Sequence, residues 1–277
     1  MPASAIDRLI ERLAGERAVL VSVASTQGSV PREAGAWMAV FSDGATAGTV
    51  GGGHLEFEAI ATGRRALAGE TTEPTRRFAL GPSLGQCCGG VVHLRFEILQ
   101  PADAPALRER LEAAEYRVRM PVALFGGGHV GHAIVDALRP LPVRVHWIDS
   151  RDQVFPTDLP RWVRTEHSAP VEAAVADLAP GSRVLVMSFS HAEDLDIVAA
   201  CLLRRRDRVD LPFIGLIGSQ SKWASFRHRL EARGFSAAEL AAVTSPIGVP
   251  GVAGKEPAVI AAAVAAQLMQ QRAAANP

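Results

Sequence analysis

The chain has 277 residues, which is long enough for two domains that each bury a core, and its 48% hydrophobic content is ordinary for a globular protein. Basic and acidic residues balance at 29 each, so the charge gives no sign of binding to nucleic acid or to an anionic membrane surface. No N-terminal apolar segment and no apolar run of about 18 residues is present, which predicts a cytoplasmic protein that does not enter a membrane.

The first hundred residues mix helical and extended patterns with three loops rich in glycine. Helices are predicted over 6–14 and 55–67, and strands over 18–24, 36–41, 47–50, 76–80 and 91–98. The loops cover 25–35, 51–54 and 81–90, where glycine and proline interrupt both periodicities. This pattern predicts a small α+β domain over residues 1–100.

Two of these loops have features of anion-binding sites. Gly52 and Gly53 open a predicted helix, where free amides and the positive end of the helix dipole favour an anion. His54 follows them at the helix start. Arg32 lies in the first loop and suits a phosphate or a carboxylate, although a solvated arginine on a surface turn is the alternative.

The third loop contains two adjacent cysteines, Cys87 and Cys88, followed by Gly89 and Gly90. Neighbouring amides would favour the thiolate form, which binds metals and attacks sulfur. The alternative is that both are small buried hydrophobic residues, as free cysteines often are. The adjacent cysteines exclude a disulfide framework, and zinc is a poor explanation because neither C-x-x-C nor C-x-x-H spacing occurs. Cys201 is predicted to lie in a helix core.

Residues 101–119 are predicted to form a linker and a helix, and residues 120–277 a Rossmann-like domain. Strands are predicted over 122–125, 143–148, 162–163, 183–189 and 213–217, and helices near 129–139, 170–178, 192–206, 220–233 and 256–271. This alternation predicts a doubly wound parallel sheet.

The first strand of this domain runs into a G-x-G-x-x-G motif formed by Gly126, Gly128 and Gly131. Asp149 ends the next strand, about twenty residues further on, where a Rossmann fold carries a ribose-binding acid.

Two polar segments, 188–196 and 218–222, follow later strands and should lie at the carboxyl edge of the sheet. His191 suits an acid, a base or a hydrogen-bond donor to a ligand. Glu193 and Asp194 are interpreted as helix caps, and Ser219 either as a cap or as a phosphate contact. Lys222 is either solvated or a second anion ligand, and the run 204–206 is interpreted as a solvated helix end. Motifs of serine hydrolases and of P-loop enzymes are absent from the sequence.

Taken together, these stretches resemble the xanthine dehydrogenase accessory proteins of the XdhC/CoxI type. The segments that carry the resemblance are GSVPREAGAWMAV (28–40), GTVGGGHLE (48–56), LGQCCGGVV (84–92), VALFGGGHVG (122–131), SHAEDLD (190–196), IGLIGSQSKWASFRHRL (214–230) and PIGVPGVAGKEPAVIAA (246–262). The cysteine of the family's CGG element falls on Cys88, and Val30 and Ser190 depart from the usual residues of two other elements.

The resemblance implies a non-catalytic chaperone that holds the molybdenum cofactor, Mo-molybdopterin, as cargo while a cysteine desulfurase exchanges an oxo ligand for sulfur. The cofactor would come from its biosynthesis proteins and pass to the large molybdenum subunit of xanthine dehydrogenase, and the carrier is expected to be a homodimer. Cys88 becomes the candidate molybdenum ligand. The competing hypothesis is an NAD(P)-dependent oxidoreductase, based on the glycine motif and Asp149. A third is a scaffold between desulfurase and dehydrogenase.

Overall fold

The computed structural model of the protein describes residues 4–80 and 89–275, and the chain folds into two compact units, Met1–Glu115 and Tyr116–Pro277. The predicted fold class is confirmed, because an antiparallel sheet with helices forms the first unit and a parallel Rossmann-type sheet forms the second. In the described part of the chain, no helix combines the length and the apolar character needed to span a bilayer.

The first unit places helices on both faces of an antiparallel sheet. Its described strands pair in the order β3-β2-β1-β5-β4. The elements, in chain order, are α1 (Ala5–Leu13), β1 (Ala18–Gln27), β2 (Trp37–Phe41), β3 (Thr46–Gly48), α2 (Gly53–Leu67), β4 (Thr75–Ala79), β5 (Val91–Leu99), a 3-10 turn (Pro101–Asp103) and α3 (Ala104–Val118), whose last residues enter the second unit.

Strand β1 separates the two small cores of this unit. Because successive side chains of a strand point to opposite faces, Val19 and Val21 pack with α2, whereas Ala18 and Leu20 pack with α1 and α3. Gly63 lets α2 approach β2 closely, since a Cβ at that position would lie 3.2 Å from the Cβ of Val40.

The second unit is a six-stranded parallel sheet, counted over the described residues, in the order β11-β10-β9-β6-β7-β8. This is the strand order of the doubly wound dinucleotide-binding fold. The elements are β6 (Met120–Phe125), α4 (His129–Leu138), β7 (Val143–Asp149), β8 (Val163–His167), a 3-10 segment (Val171–Asp177), β9 (Arg183–Val186), α5 (His191–Asp207), β10 (Phe213–Leu216), α6 (Gln220–Ala232), α7 (Ala237–Leu240), β11 (Val243–Thr244) and α8 (Pro257–Ala275). One core lies under α4 and α8, and the other under α5, α6 and the 3-10 segment.

The differences from the predicted elements are local. The segment predicted as a helix over 170–178 is a 3-10 helix. The elements α7 and β11 were not predicted, because four and two residues are too few to show a periodicity.

One prediction about charge was wrong, because Arg204 is not solvated. Its side chain is 5% exposed and donates to both carboxylate oxygens of Asp210 and to the carbonyls of Val175 and Leu178. The predicted core position of Cys201 is confirmed: the residue is fully buried, and burial raises the pKa of its thiol to about 12.

Candidate functional site

The structure brings parts of the three glycine-bearing loops of the first unit together. A Cβ on Gly90 would lie 2.4 Å from the carbonyl oxygen of Ser29, and a Cβ on Gly28 would lie 3.3 Å from the Cα of Gly90. On the other side of the first loop, a Cβ on Gly51 would lie 2.5 Å from Cγ of Pro31. Glycine at these positions therefore permits backbone to pack directly on the neighbouring loop.

The amides of the second loop face a carboxylate of the chain itself. The backbone N–H groups of Val50, Gly51 and Gly52 donate to Oε1 of Glu56 at 2.9, 3.1 and 2.9 Å, and the Thr49 hydroxyl donates to the same oxygen. Burial by itself would raise the pKa of Glu56, but these hydrogen bonds outweigh it, so the pKa lies below its ordinary value. A permanent internal anion thus holds this turn in shape.

Apart from the amides that Glu56 engages, the start of α2 is exposed and has no side-chain cap. Its N-cap, Gly52, makes no side-chain capping hydrogen bond, and Gly53 and His54 follow as exposed residues. The imidazole of His54 lies 3.8 Å from Glu58 and stacks against Phe57, which is 65% exposed. The first-turn amides of α2 are therefore the part of the predicted anion cradle that a ligand can use.

The remaining predicted residues of this unit are Arg32 and the two cysteines. Arg32 is exposed in the loop that packs on Gly51. Cys87 and Cys88 lie outside the described residues; Gly90, two residues later, is packed on Ser29. Among the described residues, no group of three or more histidine, cysteine, aspartate and glutamate side chains is arranged to hold a metal ion.

In the second unit, two of the three motif glycines are required for packing. Gly126 has φ +125°, and a Cβ there would lie 2.0 Å from the carbonyl oxygen of Met187. A Cβ on Gly131 would lie 2.1 Å from the carbonyl oxygen of Gly126, which also accepts a 2.9 Å hydrogen bond from Nε1 of Trp147. Gly131 therefore lets α4 pack closely on the turn after β6, and Gly126 lets that turn pack on the backbone that follows β9.

The third motif glycine, Gly128, has a different environment. It is exposed, has open space where a Cβ would be, and is the N-cap of α4 without a side-chain capping bond. The first amides of α4 can therefore meet a phosphate, as in other Rossmann folds.

Asp149 occupies the position of the ribose-binding acid but serves the glycine turn instead. It is 2% exposed and accepts from the amide of Gly127 at 2.5 Å. Nε and Nη2 of Arg151 donate to its two oxygens, both at 2.9 Å. Burial would raise the pKa of Asp149, but the Arg151 and Gly127 hydrogen bonds outweigh this effect and lower it. Both oxygens thus already accept hydrogen bonds, which opposes recognition of a ribose hydroxyl.

The interpretation of Lys222 as a solvated residue was wrong, because its side chain is largely buried and is paired with a carboxylate of the chain. Its Nζ donates to Oδ2 of Asp194 at 2.7 Å and to the carbonyl of Ile217 at 2.9 Å. Oδ1 of Asp194 accepts from the amide and the hydroxyl of Ser188. The two side chains are 12% and 3% exposed, so they form a buried ion pair between the first turns of α5 and α6.

The capping roles at these two turns follow from the hydrogen bonds. Ser219 caps α6, since its hydroxyl oxygen accepts from the amide of Lys222 at 3.2 Å. Ser190, rather than Glu193 or Asp194, caps α5 through the amide of Glu193. His191 is exposed at the first position of α5, with its ring 6.2 Å from that of Phe226.

Comparison with protein families covers both units. Residues 122–268, more than half of the chain, match the family described as the XdhC Rossmann domain. The chain belongs to the XdhC family. Residues 12–79 match the description XdhC and CoxI family, so the first unit agrees with this membership, and the resemblance seen in the sequence is confirmed.

Two further likenesses extend over nearly the whole chain. The chain is 24% identical over 259 residues to YqeB, an uncharacterised protein of Escherichia coli (strain K12). That alignment covers 91% of this chain and 43% of YqeB, so the chain spans less than half of that relative's length. The crystal structure of a xanthine dehydrogenase from Bacillus halodurans matches with a TM-score of 0.73 and 19% identity, covering 99% of this chain and 97% of the other. At this identity the likeness shows the fold.

In this XdhC-family chain, the predicted site residues that the structure describes lie in two groups, one in each unit. One is the loop cluster of the first unit, with Arg32, Gly52, Gly53 and His54; the other is the carboxyl edge of the second unit, with Gly126, Gly128, Gly131 and His191.

Sequence reasoning missed the internal carboxylate at Glu56. A glutamate in the first turn of a helix, after a threonine and three glycines, resembles a capping box and was the available signal.

Proposed function

We propose that the chain is a non-catalytic carrier of the molybdenum cofactor. It holds Mo-molybdopterin as cargo while a cysteine desulfurase partner replaces an oxo ligand by sulfur, and it then delivers the cofactor to the molybdenum subunit of a xanthine dehydrogenase. The observation that carries this proposal is membership of the XdhC family, matched in both units, in a chain that has the Cys87-Cys88-Gly89-Gly90 loop.

The reactive end of the cargo is assigned to the cysteine loop. A thiolate is a soft ligand that suits molybdenum and also suits sulfur transfer. Cys88 is the residue that we assign to the metal, with Cys87 as its neighbour. Gly90 packs on Ser29, in the same loop cluster as Arg32 and the uncapped start of α2. Arg32 supplies positive charge, and the helix start supplies amide donors, for an anionic group.

The phosphate of the pterin, or the diphosphate of a dinucleotide form, also has a candidate docking point in the second unit. Gly128 leaves the first turn of α4 exposed and without a side-chain cap. This arrangement needs no catalytic acid or base, which agrees with a protein that binds and releases its cargo.

A nicotinamide-dependent oxidoreductase is the competing function, and the glycine turn before α4 favours it. The ion pair between Asp149 and Arg151 weighs against it, because the expected ribose acceptor is already engaged. Titration with NADH and NADPH separates the two functions: submicromolar binding of either, without binding of a pterin, would reverse the assignment.

The carrier function is tested by metal and pterin analysis of protein purified from cells that make the cofactor. We expect molybdenum and pterin in comparable amounts in the natural protein and loss of most of the molybdenum in Cys88→Ala. Cys201→Ala is the matched control, because that thiol lies on α5 and is buried in the core of the second unit, so its loss should not affect the cargo.

Two outcomes would contradict the proposal. One is the absence of both molybdenum and pterin from the natural protein when every form of the cofactor is offered. The other is unchanged binding to desulfurase and dehydrogenase, with normal activation of the dehydrogenase, after loss of both Cys87 and Cys88, which would support a scaffold instead. Size-exclusion chromatography of the loaded protein tests the expected homodimer.

A further inference from the structure

A cavity of about 390 Å³ lies in the second unit at the carboxyl ends of β10 and β11. We name it the α8 pocket, because the first turns of α8 form one wall. The turn after β10 forms a second wall, and the exposed loop 246–255 closes the third side. Its volume falls within the range of small-molecule sites in proteins.

The walls of the α8 pocket are mostly apolar. Ile260 of α8 and Ile247 and Val252 of the loop supply apolar side chains. Gly218 and Gly254 complete the lining, and the side of each on which a Cβ would stand is filled, by Lys222 and by Val259. Apolar side chains from a helix and from the facing loop suit the two faces of a flat ring.

The polar groups at this pocket favour a negative charge on the ligand. Lys255 is the one charged residue among the described residues that line it, and it lies on the exposed loop. Ser219 also lines the pocket; its oxygen accepts from the Lys222 amide, which leaves the hydroxyl hydrogen to be donated. A cation and a hydroxyl donor beside apolar walls suit a ring that carries a phosphate or a carboxylate.

The pocket lies on the same edge of the sheet as the glycine turn. The amide of Met187 donates to the carbonyl of Phe125 and the amide of Ile217 to that of Val186, both at 2.9 Å, so the ends of β6, β9 and β10 are in line. Two strand spacings, about 10 Å, separate the glycine turn from the pocket. In the opposite direction, β7 lies next to β6 and ends at Asp149, which forms an ion pair with Arg151.

We propose that the α8 pocket binds a planar heteroaromatic ring that bears an anionic substituent. In the carrier function proposed above, on which this identification of the ring rests, the ring is the pterin of the cargo. The same chemistry is shared by purine nucleotides, and the two sources are separated in the test.

The test is a fluorescence anisotropy titration of the full chain with 6-carboxypterin, together with competition by AMP. Val252→Trp should fill the mouth of the pocket and weaken pterin binding by at least about tenfold, and Lys255→Ala should weaken it by about fivefold. Both positions are exposed, so neither change should disturb the core. Val209→Trp, at a site that is 83% exposed and does not line the pocket, is the matched control.

Each outcome decides a different point. Loss of affinity in both pocket variants, with a normal control, supports the proposal. Pterin binding that is unchanged in both variants overturns the pocket assignment and leaves the carrier function intact. Binding of AMP alone, sensitive to both variants, supports the ring site and removes its link to the pterin cargo. If the natural chain binds neither ligand, the proposal is wrong, whereas molybdenum and pterin in the purified protein would still support the carrier.

Discussion

Three carboxylates, Glu56, Asp149 and Asp194, share one role at the residue scale. Each accepts a hydrogen bond from at least one backbone amide in the turn that precedes a helix: α2, α4 and α5, respectively. Hydrogen bonds from amides to a carboxylate are stronger than those to a neutral acceptor. The chain therefore fixes its glycine-rich and serine-rich turns with its own anions, and at α2 and α4 no side chain caps the first helical amides.

Replacement of Glu56 tests this role. In Glu56→Gln the acceptor loses its charge, and we expect the free energy of unfolding at pH 7 to fall by about 1 kcal/mol. Urea denaturation monitored by circular dichroism gives this value. Glu58→Gln is the control, because the carboxylate of Glu58 pairs with the exposed side chain of His54, and the change should alter stability by less than about 0.5 kcal/mol.

The pH dependence of the same variant has a defined sign. The pKa of Glu56 is lower in the folded state than its ordinary value, so its contribution is present above the unfolded pKa of about 4.3 and is lost as the pH falls through the folded pKa. The stability difference between the natural protein and Glu56→Gln should stay constant from about pH 7 to pH 5 and shrink below about pH 4. A difference that grows in acid would contradict this account.

At the scale of elements, the buried ion pair between Lys222 and Asp194 connects two helix starts. Asp194 lies in the first turn of α5 and Lys222 in the first turn of α6, and the lysine also holds the carbonyl of Ile217 at the end of β10. A buried pair adds little net stability compared with apolar residues, but the loss of one partner leaves a charge without compensation. The pair therefore fixes the position of the first turn of α6 relative to the first turn of α5.

Lys222→Met should lower the free energy of unfolding by about 3 kcal/mol, because the carboxylate of Asp194 stays buried without its cation. Adding Asp194→Asn should recover part of the loss, so that the double variant is more stable than the sum of the two single effects predicts. Lys255→Met, at an exposed lysine, is the control and should change stability by less than about 0.5 kcal/mol. Additive effects of the two changes would show that the side chains do not interact.

The same elements show what a sequence can predict. The continuous apolar run of β6, the alternating apolar residues of β7 and the glycine motif between them specify a parallel βαβ unit, because these patterns depend on neighbours in the chain. The partner of Lys222 lies 28 residues away, and no local pattern indicates that Asp194 will face it. Glu56 was within reach of prediction, since it lies in the first turn of the helix that its own turn introduces.

At the scale of the whole molecule, each unit has its own hydrophobic cores. Those of the first unit draw on residues between Ile6 and Leu111, and those of the second on residues from Met120 onward. Because no described core cluster mixes residues of the two units, each unit has the means to fold independently.

Fragments 1–118 and 116–277 should therefore each unfold in a single cooperative transition, measured by calorimetry. A fragment 1–90 is the control, because it lacks β5, which pairs with both β1 and β4. It should show no cooperative transition. Non-cooperative unfolding of either long fragment would mean that its core needs the rest of the chain.

The burial of Cys201 has a practical consequence for work on the cysteine loop. The sequence contains three cysteines, and a fully buried thiol with a pKa raised to about 12 is almost entirely protonated at neutral pH. It will not react with maleimides or aromatic disulfides on the timescale of an exposed thiol. Any rapid labelling of the native protein must therefore occur at Cys87 or Cys88, so the third cysteine need not be removed before a labelling experiment on this loop.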